Sequence, residues 1–197
     1  NPDEAGRRFD IVVAGDAEGA WPEVLEDIQA KRWKPLYRAQ PSADLSRTPA
    51  PRRELLRRNA RRYGTIHAVQ TGRGCRHACR FCSITAFYKA THRTRPLENV
   101  LQELRTVPGW FMFVDDNIIA DPAYARRLFT AMLPMGKRWI SQCSIKLADD
   151  PELLSLAYRA GCRGVFIGVE SLSSGNLDAM DKSFNEPESI RSRIARI

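Results

Sequence analysis

Short apolar runs and amphipathic stretches alternate along the C-terminal part of the chain. Apolar runs bounded by turn residues predict strands, and apolar residues recurring every three or four positions predict helices. The predicted strands are 65–70, 110–114, 139–144 and 164–169, and the predicted helices are 97–104, 122–133 and 151–160, with a further helix beginning at Asn176. Strands that alternate with helices indicate a parallel β/α architecture. Four such units are visible, fewer than a closed barrel needs, so we predict an α/β fold with a partial, TIM-like barrel that is truncated on its C-terminal side.

A separate β-α unit precedes this region. Residues 9–15 form an apolar run that ends in a glycine turn, and residues 21–28 carry apolar side chains at helical spacing. Residues 31–51 contain prolines among Ser, Thr and Arg with no period, which predicts a linker or extended segment. The chain opens Asn1-Pro2-Asp3-Glu4, with no Met and no signal sequence, so we expect it to be a piece of a longer protein.

Composition narrows the class of protein. The hydrophobic share of 43% is that of a globular protein, and no apolar run of about 18 residues encodes a transmembrane helix. The net charge of +8 includes arginines crowded between positions 52 and 62. We favour a solvated helix face or linker for them, because no aromatic stacking pattern accompanies them, and we do not expect nucleic acid as a partner. A basic, metal-stabilised RNA-binding protein remains the alternative of a different class.

Three of the 5 cysteines, Cys75, Cys79 and Cys82, form one C-x-x-x-C-x-x-C motif. An odd number of cysteines without a signal sequence argues for a metal or cluster site in a reducing cytoplasm rather than for disulfides. Iron–sulfur clusters are held by thiolates, and three thiolates from one loop would leave the fourth iron of a cubane open to a small molecule. A structural zinc site is the alternative, but zinc wants four ligands, and neither His77 nor Cys143 is suitably placed to complete the set.

Polar side chains follow the ends of the other three predicted barrel strands. They are Asp115, Asp116 and Asn117 after the second strand, Gln142 and Ser144 after the third, and Glu170 after the fourth. In β/α barrels this edge carries the functional residues. Adjacent acids at a strand end, or a Glu that follows a buried run, need a partner if they are buried. The alternatives are a capped turn at 115–117 and a salt bridge from Glu170 to a basic residue.

The cysteine motif, with Phe81 directly before its last cysteine, resembles the defining motif of the radical S-adenosylmethionine (SAM) superfamily. Gly15-Asp16-Ala17-Glu18-Gly19, Asp115-Asp116-Asn117 and Gly168-Val169-Glu170-Ser171 together resemble the cobalamin-associated branch of that superfamily. The resemblance implies a [4Fe–4S] cluster on the three cysteines, SAM on its open iron, and reductive cleavage of SAM to a 5′-deoxyadenosyl radical. The cofactor contacts that we expect come from Phe81, Asp115, Asp116, Asn117, Gln142, Ser144 and Glu170.

The same resemblance implies a division of the chain into three parts. Residues 1–30 would be the C-terminal remnant of a Rossmann-like cobalamin-binding domain, 31–63 a Pro/Arg-rich linker, and 64–197 the radical SAM core. We expect a cytoplasmic radical SAM enzyme, specifically a methyltransferase that uses cobalamin bound by the longer protein. The implied partners are a small-molecule or lipid substrate and an electron donor such as flavodoxin or ferredoxin. A radical SAM cyclase or rearrangement enzyme is the alternative activity.

Overall fold

The computed structural model of the 197-residue chain describes residues 1–39, 44–55 and 67–197. The chain divides into two compact units, Asn1–Pro49 and Ala50–Ile197. The predicted start of the first barrel strand, at 65 and 66, lies outside the described residues. No helix in the described ranges is long and apolar enough to cross a membrane.

The N-terminal unit is a β-α-β element preceded by a short helix. Its elements are helix α1 (Pro2–Ala5), strand β1 (Val12–Ala14), helix α2 (Trp21–Gln29) and strand β2 (Leu36–Arg38). Strands β1 and β2 pair in parallel, and Val24 of α2 packs against Tyr37 of β2. The buried Asp27 of α2 accepts hydrogen bonds from the Tyr37 hydroxyl and from Arg32 Nε, both at 2.9 Å. These bonds tie the helix to the strand that follows it.

Strand β2 lies within residues 31–51, for which the sequence predicts a linker or an extended segment. Tyr37 is only 3% exposed, and its strand extends the small sheet of the N-terminal unit. Three residues are too few to show an alternating pattern, so the strand could not be recognised from hydrophobic periodicity. The predicted β-α unit is confirmed, although β1 is shorter than the predicted range 9–15.

The C-terminal unit alternates strands and helices as the apolar pattern predicts. Its elements are strand β3 (His67–Val69), strand β4 (Gly72–Gly74), helix α3 (Ser83–Tyr88), strand β5 (His92–Thr94), helix α4 (Leu97–Thr106), strand β6 (Trp110–Phe113), helix α5 (Pro122–Met132), strand β7 (Arg138–Gln142), helix α6 (Pro151–Arg159), strand β8 (Cys162–Phe166), helix α7 (Ser174–Ala179) and helix α8 (Pro187–Arg196). In the part of the chain that the structure describes, β3, β6, β7 and β8 form a parallel sheet in that order. The predicted α/β fold with four parallel units is confirmed.

An aromatic cluster holds the sheet against its helices. Trp139 of β7, which is 1% exposed, packs edge-on to Phe113 of β6 at 5.2 Å and stacks on Phe129 of α5 at 5.1 Å. Its indole N–H donates to the carbonyl of Ala160 at 3.1 Å, so the buried polar atom is satisfied. Helices α5 and α6 therefore have fixed positions on the sheet, and the loops that connect them to the strand ends start from defined points.

Aspartate caps set where two of these helices begin. Asp121 Oδ1 accepts from the backbone N–H of Tyr124 at 3.0 Å, and Asp150 Oδ1 accepts from that of Leu153 at 2.9 Å. Each carboxylate satisfies an otherwise free N–H of the first helical turn. The predicted N-cap role of Asp121 is confirmed.

A buried ionic network fixes helix α4 near the start of the barrel. Glu103 of α4, with a side chain 1% exposed, pairs with Arg95 and Arg53, both at 2.6 Å. Arg95 also donates to the carbonyl of Gln70 at 2.7 Å, and Arg53 donates to that of Ala68. Arg53, which belongs to the arginine-rich stretch, is thus part of the fold.

The strands β4 and β5 form an antiparallel hairpin that the sequence analysis did not predict. This hairpin encloses residues 75–91, so the three cysteines lie on its connecting segment. Gly74, the last residue of β4, has a φ of 86°. A Cβ there would collide with the carbonyl oxygen of Thr91, so the close approach of the two strands requires glycine.

Candidate active site

A cleft of about 260 Å³ opens at the carboxyl edge of the parallel sheet. The predicted site residues that line it are Cys75, Cys79, Phe81, Cys82, Asp116, Asn117, Gln142, Ser144 and Glu170. They come from the cysteine segment and from the ends of three different strands. The structure therefore brings together all the residues predicted for the site except Asp115, at the edge where β/α barrels carry their function.

The cysteine segment presents three free thiols to this cleft. Cys79 is buried, whereas Cys75 and Cys82 are partly exposed. The Cys82 N–H donates to the carbonyl of Cys79 at 3.2 Å, and Cys82 is the N-cap residue of α3. Burial raises the pKa of the Cys79 thiol, while the positive charge of Lys182 acts to lower it. The loop is thus anchored by a helix start, and Lys182 contributes a cation to the same cleft.

Among the described residues, no group of three His, Cys, Asp or Glu side chains converges on a single point where one metal ion would sit. A cubane cluster binds each cysteine through a different iron, so its thiolate ligands do not share such a point. The set of donors on this wall, three thiols from one loop, is chemically suited to that kind of cluster.

Asp115 is not among the residues that line the cleft, and a cofactor contact from it stays a prediction. Its carboxylate, 1% exposed, accepts from the Thr71 hydroxyl at 2.6 Å and from the backbone N–H groups of Thr71 and Gly72 at 3.0 and 2.7 Å. Burial nevertheless raises the pKa of Asp115 to about 6. The residue ties the end of β6 to the start of β4, which is a structural role close to the predicted alternative of a capping residue.

The next two residues, Asp116 and Asn117, line the cleft and contact the cysteine segment. Asp116 Oδ2 accepts from the Gly74 N–H at 2.9 Å. Asn117 Nδ2 lies 3.9 Å from Cys75 Sγ in a weak N–H···S contact, and Asn117 Oδ1 accepts from the Ser144 N–H at 3.2 Å. The segment after β6 therefore links the cysteine loop to the end of β7. A contact from Asp116 or Asn117 to SAM stays a prediction.

The end of β7 contributes Gln142, Cys143 and Ser144 to the cleft. Cys143 is 5% exposed, and burial, with a smaller effect from Cys162, raises the pKa of its thiol to about 12. A thiol with so high a pKa stays protonated at neutral pH and makes a poor metal ligand. Cofactor contacts from Gln142 and Ser144 stay predictions.

Glu170 already has a partner in this structure. Its Oε1 lies 2.9 Å from Lys182 Nζ, so the predicted alternative of a salt bridge is realised. The side chain of Glu170 is 35% exposed and lines the cleft, whereas that of Lys182 is 10% exposed. A cofactor contact from Glu170 stays a prediction, and such a contact would compete with Lys182 for the carboxylate.

The cleft residues that sequence reasoning did not assign to the site include His77, Lys182 and Phe184. The imidazole of His77 stacks on the Phe184 ring at 4.0 Å. Burial, followed by the charges of Lys146 and Lys182, lowers the pKa of His77, so this wall of the cleft has a cationic character. Lys182 and Phe184 follow a short helix and belong to no periodic pattern, so only their position just beyond the fourth unit could have drawn attention to them.

The part of the arginine-rich stretch that the structure describes does not favour RNA binding. Arg53 is held in the ionic network around Glu103, and Arg52 pairs with Glu54 at 2.7 Å. The remaining arginines predicted as a possible basic patch, Arg57, Arg58, Arg61 and Arg62, lie outside the described residues.

Comparison with known proteins connects this geometry to a family. The family model described as the radical SAM superfamily matches residues 69–192, which include the last residue of β3, the cysteine loop and strands β6, β7 and β8 of the parallel sheet. The chain belongs to the radical SAM superfamily. The resemblance read from the cysteine motif is thus confirmed.

Curated relatives of this radical SAM chain bear the names of methyltransferases. The chain is 29% identical over 204 residues to the bacteriochlorophyllide d C-12(1)-methyltransferase of Chlorobaculum tepidum, covering 99% of this chain and 45% of that protein. It is 26% identical over 192 residues to the hopanoid C-2 methylase of Rhodopseudomonas palustris, covering 90% of this chain and 36% of that protein. The chain therefore spans less than half the length of these relatives.

A solved structure shares the radical SAM fold over the whole chain. It is the cobalamin-dependent SAM radical enzyme OxsB, described with aqua-cobalamin and SAM bound. The TM-score is 0.81 at 16% identity, covering 100% of this chain and 33% of that one. The match includes the N-terminal β-α-β unit, and it shows that the α/β architecture predicted from the sequence is the fold of a known radical SAM protein.

Proposed function

We propose that this chain is part of a cobalamin-dependent radical SAM methyltransferase and that Cys75, Cys79 and Cys82 hold its [4Fe–4S] cluster. The observation that carries the proposal is the meeting of three free thiols from one loop with polar strand-end residues in a single cleft. The methyltransferase names of the curated relatives favour methyl transfer over cyclisation or rearrangement.

The residues of this chain would bind, orient and shield the cofactors. A cluster held by the three cysteines would supply the electron for reductive cleavage of SAM, and cobalamin would supply the methyl group. Asp116 and Asn117 hold the cysteine loop through its backbone and Cys75. Phe81, Gln142, Ser144 and Glu170 line the cleft, where they could contact SAM, and Glu170 would give up part of its bond to Lys182 to do so.

The N-terminal unit fits the proposed end of a cobalamin-binding domain. After β1 the chain turns at Gly15, with a φ of 104°, and runs through a short 3-10 helix at Ala17–Gly19 into α2. We propose residues 1–30 as this remnant and 64–197 as the radical SAM core. Residues 31–63 would connect them, with β2 as an ordered portion of that connection.

The setting and partners belong to the same proposal. A cluster with an open iron needs a reducing environment, which the cytoplasm provides, and a one-electron donor such as flavodoxin or ferredoxin. The substrate would be a small molecule or lipid. Its pocket would involve the open cleft at the carboxyl edge of the sheet.

Cluster loading tests the ligand assignment. Anaerobic reconstitution of the protein with iron and sulfide should give a brown species with close to four irons per chain, and Cys75→Ala, Cys79→Ala and Cys82→Ala should each lose it. Cys162→Ala is the matched control, because this cysteine lies outside the cleft. Cys143→Ala should also keep the cluster. Loss of iron in Cys143→Ala, or four-ligand zinc in native protein, would contradict the assignment.

Product analysis separates methyl transfer from the other reactions. Under reducing conditions, the reconstituted protein should cleave SAM to 5′-deoxyadenosine, and Cys79→Ala should not. Formation of S-adenosylhomocysteine alongside 5′-deoxyadenosine would support a methyltransferase. SAM cleavage without S-adenosylhomocysteine, in the presence of cobalamin and substrate, would favour the cyclase or rearrangement alternative.

A further inference from the structure

Lys182 lines the cleft and is close to both Glu170 and Phe81. Its ammonium group is 2.9 Å from Glu170 Oε1 and sits over the rings of Phe81, at 5.5 Å, and Phe184, at 5.9 Å. Its side chain is 10% exposed. Burying a lysine is costly unless its charge is compensated, and in this structure Glu170 supplies that compensation.

The segment that carries Lys182 is fastened to the cysteine loop. The Arg80 N–H donates to the carbonyl of Met180 at 3.0 Å, and Arg80 Nε pairs with Asp181 at 2.8 Å. His77 stacks on Phe184. These contacts flank Cys79 on both sides in sequence, so the backbone that carries Lys182 is attached to the loop that bears the middle thiol.

The same segment also fixes the strand end that bears Glu170. Asn185, which is fully buried, donates to the carbonyls of Gly168 and Val169 at 2.9 and 3.1 Å. A Cβ on Gly168 would collide with the Glu170 carboxylate and lie 2.9 Å from Lys182 Nζ. Glu170 itself has a φ of 65°, a strained value for a residue with a side chain. This backbone conformation places the Glu170 carboxylate against the ammonium group of Lys182.

We propose that Lys182 is a positioning residue that acts as the shared counter-ion of Glu170 and of the cluster on the cysteine loop, and that this pair of charges sets the reduction potential of the cluster. The proposal rests on the proposed function, because it requires the cluster. Reduction adds one electron and no other group, so the cluster becomes more negative by one charge. A neighbouring cation favours that change and a neighbouring carboxylate opposes it.

Lys182 lines the same cleft as Cys79, and its ammonium group lies over the ring of Phe81, which directly precedes Cys82. Lys146 is a second cation near this segment, 5.4 Å from the Phe184 ring, but it is exposed to solvent and therefore more strongly screened. Lys182 is the buried charge of the two, so its removal should have the larger effect.

The test is a redox titration of the reconstituted protein, with the reduced cluster counted by electron paramagnetic resonance. At a fixed solution potential, Lys182→Met should lower the ratio of reduced to oxidised cluster about tenfold, which corresponds to a shift of about 59 mV for a one-electron couple. Glu170→Gln should raise the ratio, because it leaves the lysine uncompensated. The double variant should return toward wild type, since it removes one charge of each sign, and Lys182→Arg should stay close to wild type.

Shifts of opposite sign in the two single variants are the result that a merely structural role would not produce. Equal potentials in the wild type and all four variants, or shifts of the same sign in the two charge-removing single variants, would overturn the role of Lys182 while leaving the proposed function intact. If Lys182→Met assembles no cluster, the Glu170→Gln titration carries the test, and an unchanged or lowered ratio there overturns the inference. Failure of the wild-type protein to bind a cluster would overturn both the inference and the proposed function.

Discussion

The buried carboxylate of Asp115 should make the stability of the C-terminal unit depend on pH. Burial raises its pKa in the folded protein to about 6, against a value of 3.8 when it is unperturbed. The folded state therefore holds this proton more tightly than the unfolded state does. The stability that comes from the protonated form is fully present below about pH 4 and is lost as the pH rises to about 6.

The size of the effect follows from the shift. A difference of about 2 pKa units at about 1.4 kcal/mol per unit corresponds to ~3 kcal/mol between the two limits. Asp115→Asn removes the titration and keeps most of the hydrogen bonds, because an amide oxygen can accept from the Thr71 and Gly72 N–H groups and an amide N–H can donate to the Thr71 hydroxyl. The variant should therefore gain ~3 kcal/mol on wild type as the pH rises from 4 to 7.

The assay is urea unfolding of the metal-free, reduced protein at half-unit steps between pH 4 and pH 7. Comparing variant with wild type at each pH cancels the titration of all other groups. Asp178→Asn, at an exposed position in α7, measures what the same substitution does at the surface. A difference that does not change with pH would refute the reasoning. A free energy of unfolding that increasingly favours the wild type over Asp115→Asn as the pH rises would refute it too, because the hydrogen bonds to the carboxylate would then outweigh the cost of its burial.

Two further substitutions test the framework of the site. Glu103→Gln should cost about 3 kcal/mol of unfolding free energy, because it leaves the buried guanidinium of Arg95 and the partly buried one of Arg53 without their anion. Glu98→Gln, whose ion pair on the same helix is exposed, should cost less than about 1 kcal/mol. Equal losses in urea unfolding would contradict this prediction. Gly74→Ala should lower both the melting temperature and the iron uptake, because its Cβ would collide with Thr91. Gly109→Ala is the control and should change neither quantity, because the space around Gly109 is open. Full iron content in Gly74→Ala would show that the hairpin can widen, and it would contradict the prediction.

The alternation of strands and helices was predictable because it depends on local periodicity. Helix α4 covers 97–106 where 97–104 was predicted, and β6 covers 110–113 where 110–114 was predicted. The hairpin of β4 and β5 was not predictable, because its strands have three residues each and lie beside a loop without any apolar period. Strand β2 escaped for the same reason.

Some residues of the candidate site were predictable from a local pattern, and others were not. The cysteines Cys75, Cys79 and Cys82 are recognisable from their spacing within one loop, and the strand-end position of Glu170 follows from the barrel pattern. Asp115 looked equivalent to Asp116, but beyond the end of β6 the two side chains have different surroundings: the Asp115 carboxylate is buried against Thr71 and Gly72, and Asp116 lines the cleft. The position of Lys182 depends on Glu170 and Phe81, about 12 and 100 residues away in sequence, so no local pattern predicts it.

The cysteine loop is held by contacts from several separate parts of the barrel. Asp116 bonds Gly74 directly before the loop, Asn117 approaches Cys75, and Met180 and Asp181 hold Arg80 next to Cys79. A loop attached at several points loses little freedom when it binds a cluster, so less of the binding free energy is spent on ordering it. The same attachments mean that the second and fourth β/α units both contribute to the placement of the thiols. The barrel edge and the cysteine loop therefore form one structural unit, although only the loop carries the proposed ligands.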